Sequence, residues 1–282
     1  MGRNSVIFLH PTLRHLTISC LDISEDIVPY LSANQNKTRL QSLTFDECNI
    51  TVSALTTILA VPKALEELTI GERMYHLSRD GHAPLGRFPA AFLDALALQK
   101  DTLHYVKHIG GVGLFGLSAN SPSLPLDILP NLRKLEVGSS SILTRFLYQS
   151  NRSTCSLDLH VRIIQSYRSE PDPFEVESVL LPSVLLFIRQ CPHLDLVLDC
   201  AGGEPEISLA DSLQLEELAI WKKILAHLRS DASETRKSSN KRCLRILISR
   251  RDGKIPPYMY GEEEPVEEVI FDSDSYDARS RG

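Results

Sequence analysis

The sequence predicts an α/β solenoid, a stack of strand-and-helix units that is regular in its first half and irregular in its second. Three observations carry that reading. Residues 13–23, LRHLTISCLDI, and residues 40–50, LQSLTFDECNI, spell one phrase twice, L-x-x-L-x-Φ-x-x-Φ/C-x-I with Φ apolar. Shorter echoes stand at 65–70 (LEELTI) and 132–142 (LRKLEVGSSSI). The spacing is steady at first, 27 residues from Leu13 to Leu40 and 25 from Leu40 to Leu65, inside the ~20–29 of leucine-rich repeats. A unit of this kind cannot bury its apolar side alone, so it stacks on its neighbours.

Each phrase alternates as a strand does. Leu16 and Ile18 are predicted to face inward, with His15, Thr17 and Ser19 outward. Leu43 and Phe45 face inward, with Ser42, Thr44 and Asp46 outward; Leu68 and Ile70 face inward, with Glu67, Thr69 and Gly71 outward. The return segments read as helices. Thr51 is a good N-cap, followed by the stripe Val52, Leu55, Ile58 and Leu59. Ser24 opens a shorter helix that Pro29 limits, and Pro62 punctuates the end of the second. Helical returns predict the helix-backed horseshoe, like ribonuclease inhibitor, rather than the thin extracellular kind.

Regularity then lapses, with 38 residues from Leu65 to Leu103. Gly71, Gly81, Pro84 and Gly86 mark a loop insertion over 71–87, and a helix begins near Pro89 with Phe88, Phe92, Leu93 and Leu96 as its stripe. LHYVKHI at 103–109 is a degenerate repeat, 116–130 a Ser- and Pro-rich loop. Further strands are predicted at 156–163, 193–199 and 243–249, helices over 175–190 and 208–229, and a mobile polar run at 229–242. The predicted organisation is one repeat domain over 1–260, regular over 10–145 and irregular over 146–260. An acidic, disordered tail follows over 261–282.

Composition narrows the function classes. With 282 residues and 43% hydrophobic content the chain can build a continuous core. A net charge of −6 argues against a dedicated nucleic-acid binder, which carries a basic face. No apolar run approaches the ~20 residues that cross a bilayer, and no secretory signal opens the chain. The expected setting is intracellular, cytoplasmic or nuclear. The six cysteines include no C-x-x-C pair. Cys20 and Cys48, each just after a repeat strand, are expected in the core.

Chemistry-bearing motifs are sparse. Gly111, Gly113 and Gly116 spell G-x-G-x-x-G, with Glu136 placed like a ribose-binding acid. Pro122, Pro125 and Pro130 forbid the helix that a dinucleotide site needs, and Lys107 and His108 are out of place in a buried strand. His104 and His108 would share a helical face, but their segment reads as a strand, so two solvated or half-buried histidines are expected. Ser238 and Lys241 form S-x-x-K by spelling alone. The pairs Glu66-Glu67 and Glu216-Glu217, and the cluster Glu262, Glu263 and Glu264, read as solvated surface. No catalytic, cofactor or metal residues are assigned.

The phrases LRHLTISCLDI, LQSLTFDECNI and LPNLRKLEVGSSSIL resemble the repeat region of fungal F-box/leucine-rich-repeat proteins. The likeness is best over 10–145 and weaker over 175–250. It implies a non-enzymatic receptor whose horseshoe presents a substrate for ubiquitination, with an F-box docking a Skp adaptor and cullin. No helical F-box segment is read ahead of the first repeat here, so adaptor and cullin are partners only if an F-box lies upstream.

The sequence therefore points to a protein–protein interaction module that takes a protein partner, with no nucleic acid, membrane or cofactor. The alternatives are a stand-alone repeat scaffold or regulator, and a nucleotide-binding enzyme using the glycine loop at 110–116. The candidate contact residues are His15, Thr17, Ser19, Ser42, Thr44, Asp46, Glu67, Thr69, Tyr105, Lys107, Lys134 and Glu136, all taken from the outward phase of the strands.

Overall fold

The computed structural model describes residues 2–72, 85, 89–109, 128–138, 141, 143–144, 159–167, 193–201, 243–251 and 267–272. The chain divides into two compact units, Met1–Ser156 and Leu157–Gly282.

The first unit is built on a parallel sheet. Its strands are β1 (His15–Ser19), β2 (Asp22–Ile23), β3 (Ser42–Ile50), β4 (Glu67–Glu72), β5 (Tyr105–Ile109) and β6 (Lys134–Gly138). They run in the order β1-β3-β4-β5-β6, with β2 beside the far end of β3. Among the described residues three α-helices intervene: α1 (Val28–Leu31), α2 (Val52–Leu59) and α3 (Pro89–Ala97). Short 3-10 helices occur at Gly2–Leu9, Glu25–Ile27 and Ser32–Asn34. The inward phase of the strands supplies Leu43, Phe45, Leu68, Ile70, Val106, Leu135 and Val137 to the core. The helices supply Leu55, Ile58, Leu59, Phe92, Leu93 and Leu96, and α2 packs on both α1 and α3.

Local chemistry explains the joints. Thr51 caps α2 through its side chain, which accepts from Ala54 N at 3.3 Å. Ser24 does not cap; its hydroxyl donates to Asp26 instead, at 2.9 Å. β3 changes phase at Glu47, which has φ 50° and sits where the ladder to β4 shifts register between Phe45 and Cys48. Leu43 and Phe45 face inward before that bulge, Cys48 and Ile50 after it. Cys20, with φ 59°, turns the chain at the equivalent point after β1. That turn leaves Cys20 exposed, which corrects its expected place in the core; Cys48 alone of the pair is buried there. Between the helix layer and the sheet, buried Gln99 accepts from Leu65 N and donates to the carbonyls of Leu59 and Pro62.

The second unit holds β7 (His160–Tyr167), β8 (His193–Ala201), β9 (Cys243–Arg251) and β10 (Glu267–Asp272). The first three are parallel, and β10 runs antiparallel to β9 with an irregularity between Val269 and Phe271. Every residue of β8 from Leu194 to Asp199 is buried. Residues 267–272 were expected inside a disordered tail and instead form this strand.

The helix-backed solenoid expected from the repeats is not the fold. Among the described residues the chain forms a mixed α/β architecture of ten mostly parallel strands with few helices. Among the described residues the helices of the first unit are four, eight and nine residues long. The second unit has no helix among its described residues, and it ends on an antiparallel strand that a repeating unit would not produce. The physical reasons are local: Pro29 lies in the first turn of α1, which follows a 3-10 turn, and strand pairing carries through nine residues in β3, β8 and β9. The helices expected over 175–190 and 208–229, the glycine loop at 110–116, Ser238, Lys241 and Glu262–Glu264 lie outside the described residues. Among the described residues no helix is long and apolar enough to cross a membrane.

Candidate functional site

The strand register brings all twelve candidate residues onto one sheet of the first unit. His15, Ser42, Glu67, Tyr105 and Lys134 form one row across β1, β3, β4, β5 and β6. Thr17, Thr44, Thr69, Lys107 and Glu136 form the next, and Ser19 pairs with Asp46 beyond it. Neighbours in a row are ~4.8 Å apart, the spacing of paired strands. His15, Thr17, Ser19, Glu67 and Lys134 are exposed; Ser42, Thr44, Asp46, Thr69, Tyr105 and Lys107 are half-buried. Glu136 departs from expectation: it is 6% exposed.

Two lysines explain how that carboxylate tolerates burial. Lys134 Nζ lies 2.6 Å from Glu136 Oε1, and Lys107 Nζ lies 3.4 Å from Oε2. Lys134 also stands over the Tyr105 ring, 5.1 Å from its centroid. The face thus has a charged end on β5 and β6 and an uncharged threonine row on β1, β3 and β4. At the strand entrances Arg14 donates to Gln41 at 3.1 Å, and Gln41 donates to Glu66 at 3.0 Å. Hydroxyls, an aromatic ring and bracketed charges can recognise a polar surface.

Behind the face is a network that the sequence reading missed. His108 Nε2 meets Glu72 Oε1 at 2.7 Å, and His108 Nδ1 meets Ser141 Oγ at 2.6 Å. All three residues are buried, which corrects the expectation of a solvated or half-buried His108. A carboxylate can only accept, so Nε2 carries a proton when Glu72 is ionised. Ser141 can then donate to Nδ1 while its oxygen accepts from Leu143 N at 3.1 Å. The parts match those of a serine, histidine and acid relay, yet Ser141 has no exposed surface for a substrate to reach. The arrangement is a clamp tying β4 and β5 to the segment after β6. Strand parity was the available signal: Glu72 continues the inward phase of Leu68 and Ile70, and His108 that of Val106.

The second unit has its own buried charge. Asp195 is 2% exposed, and Arg245 grips it with Nε to Oδ1 at 2.8 Å and Nη2 to Oδ2 at 2.6 Å. His160 Nε2 adds a contact at 3.0 Å, and Arg162 Nη1 lies at 3.6 Å. Arg162 also bonds Glu267 of β10 at 2.5 Å. Burial pushes the Asp195 carboxyl up, but the bonds and charges of His160 and Arg245 prevail and hold it below its ordinary value. The bond to Asp195 in turn pushes the Arg245 guanidinium up. Arg162, Asp195 and Arg245 share one register row, so this cluster pins three parallel strands together.

Among the described residues no group of three or more His, Cys, Asp or Glu side chains is placed to hold a metal. His104 precedes β5 and His108 lies within it, so their spacing of four does not bring them together as it would on a helix. No protein-family model, curated protein or solved structure matches this chain.

Proposed function

We propose that the chain is a non-enzymatic interaction module and that the polar sheet face from His15 to Glu136 receives a protein partner. One observation carries the reading. Parallel sheets are normally covered on both faces, whereas eleven of these twelve in-register residues, all but the buried Glu136, are exposed or half-buried, and none of the twelve is aliphatic. A mixed surface of this kind suits a polar, hydrogen-bonding protein partner. An intracellular setting fits the same reading, since buried Cys48 is a free thiol with Ile18 O and Asp46 O both within reach of its one proton. The ubiquitin-ligase role rests on the F-box resemblance alone and is a separable part of the proposal.

The test replaces Thr44 and Thr69 together with Arg. They are register partners on β3 and β4 and both are half-buried. Pull-downs from cell extract with the parent and the double variant are compared, with circular dichroism to verify folding. Partner capture is expected to fall at least about tenfold, the size of a ~1.4 kcal/mol penalty. Equal capture by a folded double variant would place binding elsewhere. Retention of a Skp adaptor by the parent would connect the module to ubiquitination; capture of other proteins without it favours a stand-alone scaffold.

A further inference from the structure

From the open edge of β1 we infer a self-association surface, on which a second copy of this chain pairs antiparallel, strand to strand, about Thr17. This goes beyond the proposed partner face and does not rest on it.

β1 ends the strand order of its sheet and pairs with β3 on one side. The bonds to β3 fix which groups are used. Ser42 N donates to Arg14 O and Cys20 N donates to Asp46 O, both at 2.9 Å, so the even-numbered residues serve β3. The N–H and C=O groups of His15, Thr17 and Ser19 therefore point to the open edge, as parallel pairing requires. Edges of this kind are ordinarily blunted by a charge, a proline or a bulge. His15, Leu16, Thr17, Ile18 and Ser19 offer none of these.

The occupant follows from the pattern. A two-fold contact needs a strand that complements itself when reversed. In polarity HLTIS reads the same in both directions about Thr17. Centred there, His15 of one copy faces Ser19 of the other, Thr17 faces Thr17, and Leu16 faces Ile18. Each outward backbone group meets its counterpart, and no like charges are opposed. Leu16, half-buried as it stands, gains an apolar neighbour.

Exposed apolar side chains gather at the same end of the sequence. Val6, Ile7, Leu21 and Tyr30 are 37–55% exposed, four of the six large hydrophobics that are exposed among the described residues. Leu21 is the telling one. It occupies in the first phrase the position of Cys48 in the second, and Cys48 is buried against the preceding strand, donating to Ile18 O. Among the described residues no strand stands in front of β1 to cover Leu21.

Sedimentation equilibrium of the full chain, up to about 0.1 mM, tests the inference. The parent is expected to reach twice 31.5 kDa. Thr17 is exposed, so Thr17→Lys and Thr17→Glu should each fold, as melting curves will verify, and each should remain at the monomer mass because like charges then meet across the axis. An equimolar mixture of the two should regain the double mass. A parent that stays monomeric throughout overturns the inference, as it would if another protein or a preceding strand were the natural occupant of the edge. So does a variant that still dimerises, or a mixture that does not. If one variant fails to fold, the mass of the other decides.

Discussion

His108 is held between an acid and a hydroxyl and is itself buried. Replacing it with Ala leaves Glu72 buried without its main partner. We expect a loss of about 3 kcal/mol, the cost of breaking a buried pair. Ser141→Ala should cost less, about 1–2 kcal/mol, because only a neutral hydrogen bond disappears. Urea melts measure both, and the combined Glu72→Ala and His108→Ala variant should lose less than the two single losses added. Strict additivity would mean that the pair is not coupled. Leu43 has no exposed surface and pairs with Leu16 on one side and Leu68 on the other, so Leu43→Asp should give insoluble or unfolded protein. A soluble variant with an unchanged melting curve would contradict the register. At this scale the sequence was half legible. Alternation separated inward Leu43 and Phe45 from outward Thr44 and Asp46. It did not reveal Glu72 with His108 as a pair, because the partners lie 36 residues apart and a polar residue on an inward phase looks like noise until its partner is in view.

Strands were easier to read than what joins them. The strands of the first unit lie where the repeated phrase put them, and the Thr51 cap could be named because it needs only four consecutive residues. Thr51→Ala should lower stability by about 1 kcal/mol, read from the shift in a denaturant midpoint. No shift would mean that the amide of Ala54 finds an equal partner in water. The error lay in extending one good helix to every return. Val52–Leu59 has an uninterrupted stripe, whereas Pro29 stands in the first turn of Val28–Leu31, so an α-helix opening at Ser24 could not run through it. One other misreading has a different cause. β10 was hidden because acidic composition over 261–282 outweighed the short apolar run at Val269, Ile270 and Phe271. β8 alternates in polarity, which ordinarily marks one wet face, yet Asp195 and Asp199 are buried. For Asp195 the reason is the grip of Arg245, 50 residues away, a pairing that no local window contains.

That same grip should be visible in how the whole fold responds to acid. The Asp195 carboxyl titrates below its ordinary 3.8 in the folded chain, because His160 and Arg245 overcome the burial that would raise it. The unfolded chain therefore takes up this proton more readily than the folded one. Stability from this group is complete above the unfolded value and is lost as pH falls through the folded one, so the window lies at and below pH 3.8. The groups that face Asp195 are His160 on β7, Arg162 on β7 and Arg245 on β9, with Glu267 of β10 bonded to Arg162. Asp195→Asn removes the titrating charge but keeps the shape. At neutral pH the variant should be less stable by about 3 kcal/mol, since the arginines lose their buried partner. Below the usual carboxylate range the gap should close, at no more than about 1.4 kcal/mol per pH unit, the limit set by one proton. Urea melts of parent and variant from neutral pH down to the acid limit of folding would trace it. A gap that stays constant through the acid range would mean that Asp195 is not held below its ordinary value, and that the row Arg162, Asp195 and Arg245 joins β7, β8 and β9 by packing rather than by charge.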